Sequence, residues 1–201
     1  MRPIAPIPTL ETERLCLRPF TLDDEAAMFA LVSDPEIDRF VRFEAHRTPA
    51  ETRAFLELVL EHYQRGDPFA WAMVLREDGR LIGSCGFVSQ APERKSGEIG
   101  YWVGKPYWGK GYAAEAARAL VRLGFERMGL EQVEAKCFVE NRAGQRVIEK
   151  LGMKLEGTDR SEMIKGEYPE LNMYGISREE WREQAPKIPP RIHADKRGSI
   201  G

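Results

Sequence analysis

The chain has 201 residues, 42% of them hydrophobic, which is enough for one packed core and small for two. Its 30 Lys plus Arg against 32 Asp plus Glu leave a formal charge of -2, so no strong overall field draws nucleic acid or an anionic membrane. No apolar run reaches the ~20 residues of a membrane span, and "MRPIAPIPTL" lacks the basic start and apolar stretch of a signal peptide, so a cytoplasmic protein is expected.

In chain order, "RLCLRPF" alternates as a strand, and "TLDDEAAMFALVSDPE" takes helical spacing with Thr21 as N-cap. "TPAETRAFLELVLEHYQRG" is a fuller helix, with Thr48 as N-cap, Pro49 in the first helical position, Glu51 closing a capping box and Gly66 as stop. "FAWAMVLR" and "LIGSCGFV" form a hairpin around "EDGR", and "EIGYWVG" is the next strand. A glycine-rich turn then leads into a helix from about Ala113 to Met128 that Gly129 closes. "QVEAKCFVE" is a strand, and "NRAGQRVIEKLGM" a short helix capped by Asn141 and stopped at Gly152. "KLEGTDRSEMI" and "PELNMYGI" are two strands joined through "KGEY", and "SREEW" is a capped turn. Residues 1–184 thus form one domain, and 185–201, rich in Pro, Lys and Arg without periodicity, are expected to be disordered. The second to fourth strands, close in sequence, should be antiparallel; the fourth and fifth, separated by a helix, can run parallel.

Cys16, Cys85 and Cys137 are odd in number and far apart, and His46, His62 and His193 are scattered, so free thiols and no metal are expected. Although "IGSCGF" has a serine between glycines, Ile82 stands where a nucleophile elbow needs glycine.

The stretch "VGKPYWGKGYAAEA" answers in part to three phosphate-binding patterns. Gly104 to Lys110 begins a nucleotide-triphosphate loop, but Gly111 follows where a magnesium-binding Ser or Thr belongs. Gly109, Gly111 and Ala114 fit a dinucleotide fingerprint, yet five residues separate Gly109 from Val103 at the strand end. The third pattern needs only a strand, a short loop and a helix whose first-turn N–H groups face a pyrophosphate, with Lys110 nearby. Glycines shaping a tight loop, with no ligand, are the alternative.

The order of "GEIGYWV", "YWGKGYAAEA", a strand, "NRAGQRVIEKLGM" and "KLEG" resembles the GNAT family of N-acetyltransferases over about Leu10 to Trp181, most closely the branch that acetylates ribosomal-protein N-termini. The resemblance implies an α+β (α/β) fold: a mixed, mostly antiparallel twisted sheet of about seven strands, splayed between the fourth and fifth and flanked by about four helices. It implies acetyl-CoA as donor and no metal. The family's pyrophosphate motif falls on Trp108, Gly109, Lys110, Gly111, Tyr112 and Ala113, running on to Ala114, with Trp108 in place of the usual Gln or Arg. The strand carrying Tyr101, Trp102 and Val103 would bear a bulge whose backbone groups face the pantetheine and thioester. Asn141 matches the pantetheine-binding Asn, and Arg146 and Lys150 are partners for the phosphates unless they are a solvated helix face.

Direct attack of an amine on the thioester, as the resemblance implies, needs a base to take the ammonium proton. Glu98 is the first candidate and Glu162 in "RSEMI" the second. A backbone N–H around Tyr101 to Val103 would stabilise the oxyanion. The usual acids are missing, since Gly144 and Ile148 occupy the Ser and Tyr positions; Tyr168, or Tyr174, would have to reach the sulfur from the last hairpin. The acceptor implied is a protein N-terminal α-amine, the alternatives a small amine (polyamine, amino acid or antibiotic) or a non-catalytic CoA-binding sensor. No nucleic-acid or membrane partner is implied, and the protein would act as a monomer or homodimer.

Overall fold

The computed structural model describes residues 7–67 and 69–184; the expected disordered tail, 185–201, lies outside the described residues. The chain runs β1 (Leu10–Glu11), β2 (Leu15–Arg18), α1 (Glu25–Val32), α2 (Pro49–Gln64), β3 (Trp71–Leu75), β4 (Leu81–Ala91), β5 (Ser96–Val103) and α3 (Tyr112–Leu123). It continues through β6 (Gln132–Phe138), α4 (Arg142–Glu149), β7 (Lys154–Asp159), β8 (Leu171–Ser177) and α5 (Arg178–Gln184). The eight strands form one sheet in the order β1-β2-β3-β4-β5-β6-β8-β7, one strand more than expected, because two-residue β1 is too short to show alternation. Among the described residues no helix is long and apolar enough to cross a membrane.

β5 and β6 are parallel and every other pair antiparallel, as sequence distance implies. Two apolar clusters cover the two faces. Met28, Val32, Leu56 and Val59 of α1 and α2 bury one face, and Ala116, Leu120 and Leu123 of α3 with Ile148 after them bury the other.

Several local expectations need correction. α1 stops at Val32, short of "SDPE", because Pro35 cannot continue a helix. It is preceded by a short 3-10 turn, Leu22–Asp24, in which the Asp24 carboxylate accepts the Thr21 N–H at 2.9 Å. Pro49 does open α2, but Thr48 makes no side-chain cap; Glu51 accepts the Arg47 N–H at 2.8 Å instead. As expected, α3 continues helically to Met128 and is closed by Gly129 at φ +74°, its last turn being of π type. β7 ends at Asp159 because its carboxylate turns the chain by accepting the Ser161 N–H at 2.8 Å, so Glu162 lies in a loop. The "SREEW" turn is α5, capped reciprocally: Ser177 N–H donates to Glu180 at 2.9 Å and Glu180 N–H to Ser177 Oγ at 3.2 Å. Of the thiols, Cys85 and Cys137 are buried and Cys16 half-buried.

Candidate active site

β5 and β6 pair only through Ser96, Gly97 and Glu98 with Gln132, Val133 and Glu134. Beyond Glu98 each strand keeps only its outer neighbour, so the two diverge and leave a wedge with unpaired backbone edges. The expected bulge is present next to this apex but on the other strand. Phe87 pairs with Ile99 and Ser89 with Glu98, which leaves Val88 of β4 as the extra residue. β5 and β6 are parallel, so the wedge opens at the C-terminal ends of both, where the chain turns into α3 and α4. Both helix N-termini therefore meet the open end.

At α3, Gly109 and Gly111 adopt φ +75° and +83°, conformations open to glycine and costly for other residues. A Cβ at Gly109 would meet nothing within 4 Å, and Gly111 stands at the N-cap with no side-chain acceptor for the first-turn N–H groups. The loop is thus open at Gly109 and leaves the first-turn N–H groups of α3 without a side-chain cap, an arrangement that fits an anion such as a pyrophosphate. Trp108 is exposed and fastens the loop to β5 by donating Nε1–H to the Val103 carbonyl at 2.5 Å. Lys110 and Tyr112 are held from afar by Arg14, which donates to the Lys110 carbonyl at 2.9 Å, lies 4.6 Å over the Tyr112 ring and pairs with Glu115 at 2.7 Å. Ala113 is half-buried and Ala114 buried against the core.

At α4, Asn141 caps the helix by accepting the Gly144 N–H at 2.9 Å, and it lines the wedge with Gly144 and Ile148. Tyr101 points to this side and donates weakly to the Gly144 carbonyl at 3.4 Å; burial pushes its hydroxyl pKa far up. Cys137 lines the same side, its thiol pushed by burial up to about 11, so it stays protonated at neutral pH. Arg146 on α4 and Lys150 at its C-cap are exposed and do not line the wedge.

Alternation along β5 turns Glu98, Gly100 and Trp102 to the opposite face, toward α1 and α2, while Ile99, Tyr101 and Val103 join the α3 cluster. Val103 is buried there and is not part of the wedge lining. Glu98 is 9% exposed and ion-paired with Arg42 at 2.5 Å. Burial raises its pKa; the charges of Arg42 and Lys136 oppose the rise without cancelling it, and Glu162 adds to it. Glu162 touches the other side of the same guanidinium at 3.3 Å and Lys136 at 3.2 Å, and Lys136 also holds Asp159 at 3.0 Å. The two candidate carboxylates, 64 positions apart in sequence, thus share one arginine. Tyr168 is not brought here: it is 61% exposed and outside the wedge lining, because the hairpin bridge between Ile164 and Glu167 turns it outward. Tyr174 is buried on β8 in the α3-side core.

Sequence reasoning missed Arg42, Lys136, Asp159 and Arg14. The one local signal was a cation set between aromatics in "FVRF", where a purely structural loop has no need of it.

The cavity around the wedge has a volume of about 400 Å³, running from Asn141 and Gly144 on one face to Phe43 and Phe55 on the other. Asn141 and Gly144 line it on one face of the sheet and the buried Glu98 carboxylate on the other, while the glycine loop before α3 lies outside this lining. The protein is similar to the uncharacterized N-acetyltransferase YnaD of Bacillus subtilis, 34% identical over 86% of this chain and 98% of YnaD. It is 29% identical to a ribosomal-protein-serine acetyltransferase of Escherichia coli over 62% of this chain and 69% of that protein. A crystal structure of a GNAT-family acetyltransferase from Bacillus anthracis superposes with a TM-score of 0.75 at 30% identity, covering 85% of this chain and 99% of that one. Residues 14–154 match the family described as "Acetyltransferase (GNAT) domain", and with the splayed sheet and the glycine loop that opens α3 the chain belongs to the GNAT acetyltransferases.

Proposed function

We propose that this acetyl-CoA-dependent N-acetyltransferase moves the acetyl group directly to a primary amine bound on the Glu98 side of the wedge, the acceptor being a protein N-terminal α-amine. The observation that carries the reading is the division of the wedge by β5, with cradle and Asn141 on one side and a buried, ion-paired carboxylate on the other. Acetyl-CoA supplies the acetyl group as an activated thioester. The backbone N–H groups of Gly109 to Ala114 and the charge of Lys110 hold its pyrophosphate, and Asn141 with the unpaired edges of β5 and β6 aligns the pantetheine arm. Arg146 and Lys150 add charge at the exposed rim.

Glu98 takes the proton that the acceptor ammonium must lose before it can attack. Its raised pKa brings it nearer to neutral pH than an ordinary carboxylate, and Arg42 fixes its orientation. Glu162 shares the guanidinium and stands as the second carboxylate on the proton's way to solvent. Backbone N–H groups at Tyr101 to Val103 polarise the carbonyl. The departing thiolate, with an ordinary thiol pKa of about 8.5, needs no strong acid; Tyr168 fills that role only if its hairpin folds inward.

The N-terminal acceptor rests on likeness to the Escherichia coli acetyltransferase, whose name specifies a ribosomal-protein serine. A small amine is the second reading, favoured by the way Lys165 ties its loop to the Asp38 side chain and carbonyl, bracing the segment that walls the cavity. Thiol release from acetyl-CoA, scored across peptides and small amines, decides between them. Absence of turnover on every peptide N-terminus would end the N-terminal proposal, and tight CoA binding without any transfer would favour a sensor.

A further inference from the structure

The acceptor side of the wedge is walled by aromatic rings. Phe40, Phe43, Phe55, Phe69, Trp102 and Phe138 all line the cavity and all remain half-buried, which distinguishes them from the fully buried core rings of Phe20, Phe87 and Phe125. They reach it from five separate segments, yet they touch. Phe43 meets Trp102 edge-on with centroids 6.0 Å apart, Phe40 meets Phe138 at 6.2 Å, and Phe55 meets Phe69 at 6.4 Å. Gly86 and Gly100 also line the cavity, and at Gly86 the missing side chain lets the Phe69 backbone pack directly on β4.

The charges make a second, independent observation. The two cations in the cavity lining, Arg42 and Lys136, are both engaged by carboxylates of the protein itself: Arg42 by Glu98 and Glu162, Lys136 by Asp159 and Glu162. Among the described residues no cation of the lining is left to receive a carboxylate on the acceptor. The site offers carboxylate to an ammonium and apolar ring faces to whatever the ammonium carries.

Resting on the transfer reading above, we infer that the acceptor is a primary amine bearing a bulky apolar group, preferably aromatic, next to the amine-bearing carbon and no free carboxylate beside it. That chemistry belongs to an arylalkylamine and to the first residue of a Phe-initiated chain, whose carboxyl is an amide. It excludes a serine N-terminus, a polyamine and a free amino acid as best substrates.

The test is thiol release by the full chain with acetyl-CoA and, in turn, 2-phenylethylamine, phenylalanine, a Phe-initiated peptide, a Ser-initiated peptide and spermidine. 2-Phenylethylamine or the Phe peptide should exceed the Ser peptide, spermidine and phenylalanine in kcat/KM by roughly tenfold or more, the scale on which an apolar pocket discriminates. Which of the two leads identifies the source of the amine. Equal or better turnover of the Ser peptide, spermidine or phenylalanine overturns the inference while leaving amine acetylation intact. No turnover on any of them, with CoA still bound in calorimetry, overturns the transfer reading and the inference with it. Phe43→Ala supplies a second check in a variant whose CoA affinity reports its folding. It should raise KM for 2-phenylethylamine more than for spermidine, and an equal effect on both refutes the aromatic wall.

Discussion

Replacing Glu98 by Gln removes the proposed base while preserving its shape. The amide oxygen can still accept from Arg42, 2.5 Å away in the parent, and Arg42 keeps Glu162 at 3.3 Å, so the wall of the cavity stays in place. What is lost is the capacity to take a proton. An α-amine with a pKa of about 7.7 to 8.0 is neutral in only about one molecule in ten at pH 7, and an alkylamine near 10 in about one in a thousand. A positioned base is typically worth ~100- to 10,000-fold. Glu98→Gln should therefore lower kcat/KM by about 100-fold at pH 7, and the loss should shrink tenfold per pH unit toward the amine pKa, as solvent supplies the neutral amine. In the parent, activity should rise through an acid limb set by Glu98. Burial places that limb above the ordinary carboxylate range, and Arg42→Met, which deletes an opposing charge, should move it higher still. Stability should change with the opposite sign. A carboxyl whose folded pKa is raised contributes its full share below the unfolded pKa and loses it as pH rises through the folded pKa, so at pH 7 the uncharged Gln should leave the melting temperature equal or higher. CoA affinity, which depends on the cradle beyond the other face of β5, should not change. Parental kcat/KM in Glu98→Gln at every pH would remove Glu98 from the mechanism.

At the cradle, Gly111→Val places a branched side chain at φ +83°, where its Cβ meets only Arg14 Nη2 at 3.5 Å, so the fold should survive with a loss of about 1–2 kcal/mol in a denaturation curve. Displacing one charge-assisted bond to the pyrophosphate is worth about 1.5–3 kcal/mol, so calorimetry should find CoA bound roughly ten- to hundred-fold more weakly, and an unchanged affinity contradicts the cradle. In the cavity lining, the Cβ of Gly86→Ala would lie 1.9 Å from the Phe69 carbonyl oxygen, which is backbone and cannot swing aside. Urea unfolding should show a loss of about 1–3 kcal/mol or more, and one below about 0.5 kcal/mol would mean that β4 and the segment before β3 are not packed as described.

The strands and helices were readable because their causes lie within a few residues of each other. β6 alternates buried and half-buried along "QVEAKCF", and Asn141 sits three residues before the N–H it caps. The glycine loop was readable for the same reason, since Gly109, Gly111 and the first turn of α3 are contiguous. Two failures share a local cause of their own: β1 was too short to show a period, and an Asp159 turn ended β7 inside what read as one strand. The resemblance puts a bulge on β5, whereas the register shows that β4 holds the extra residue, Val88; a sequence pattern does not show which of two paired strands is the longer. Tyr168 reaches the sulfur only in a hairpin folded over the site, and here the Ile164 to Glu167 bridge leaves it at the surface.

By itself the sequence determined the strand, glycine loop and helix proposed as the donor half, because the glycines that shape a backbone loop are neighbours in the chain. The acceptor half was decided by tertiary structure. Arg42, Glu98, Lys136 and Glu162 come from four separate segments, and the aromatic wall from five, so none of their contacts leaves a spacing to read. The Glu98 pKa follows the same rule: it depends on burial and on charges brought in by the fold, and a glutamate in "GEIGYW" carries no sign of either.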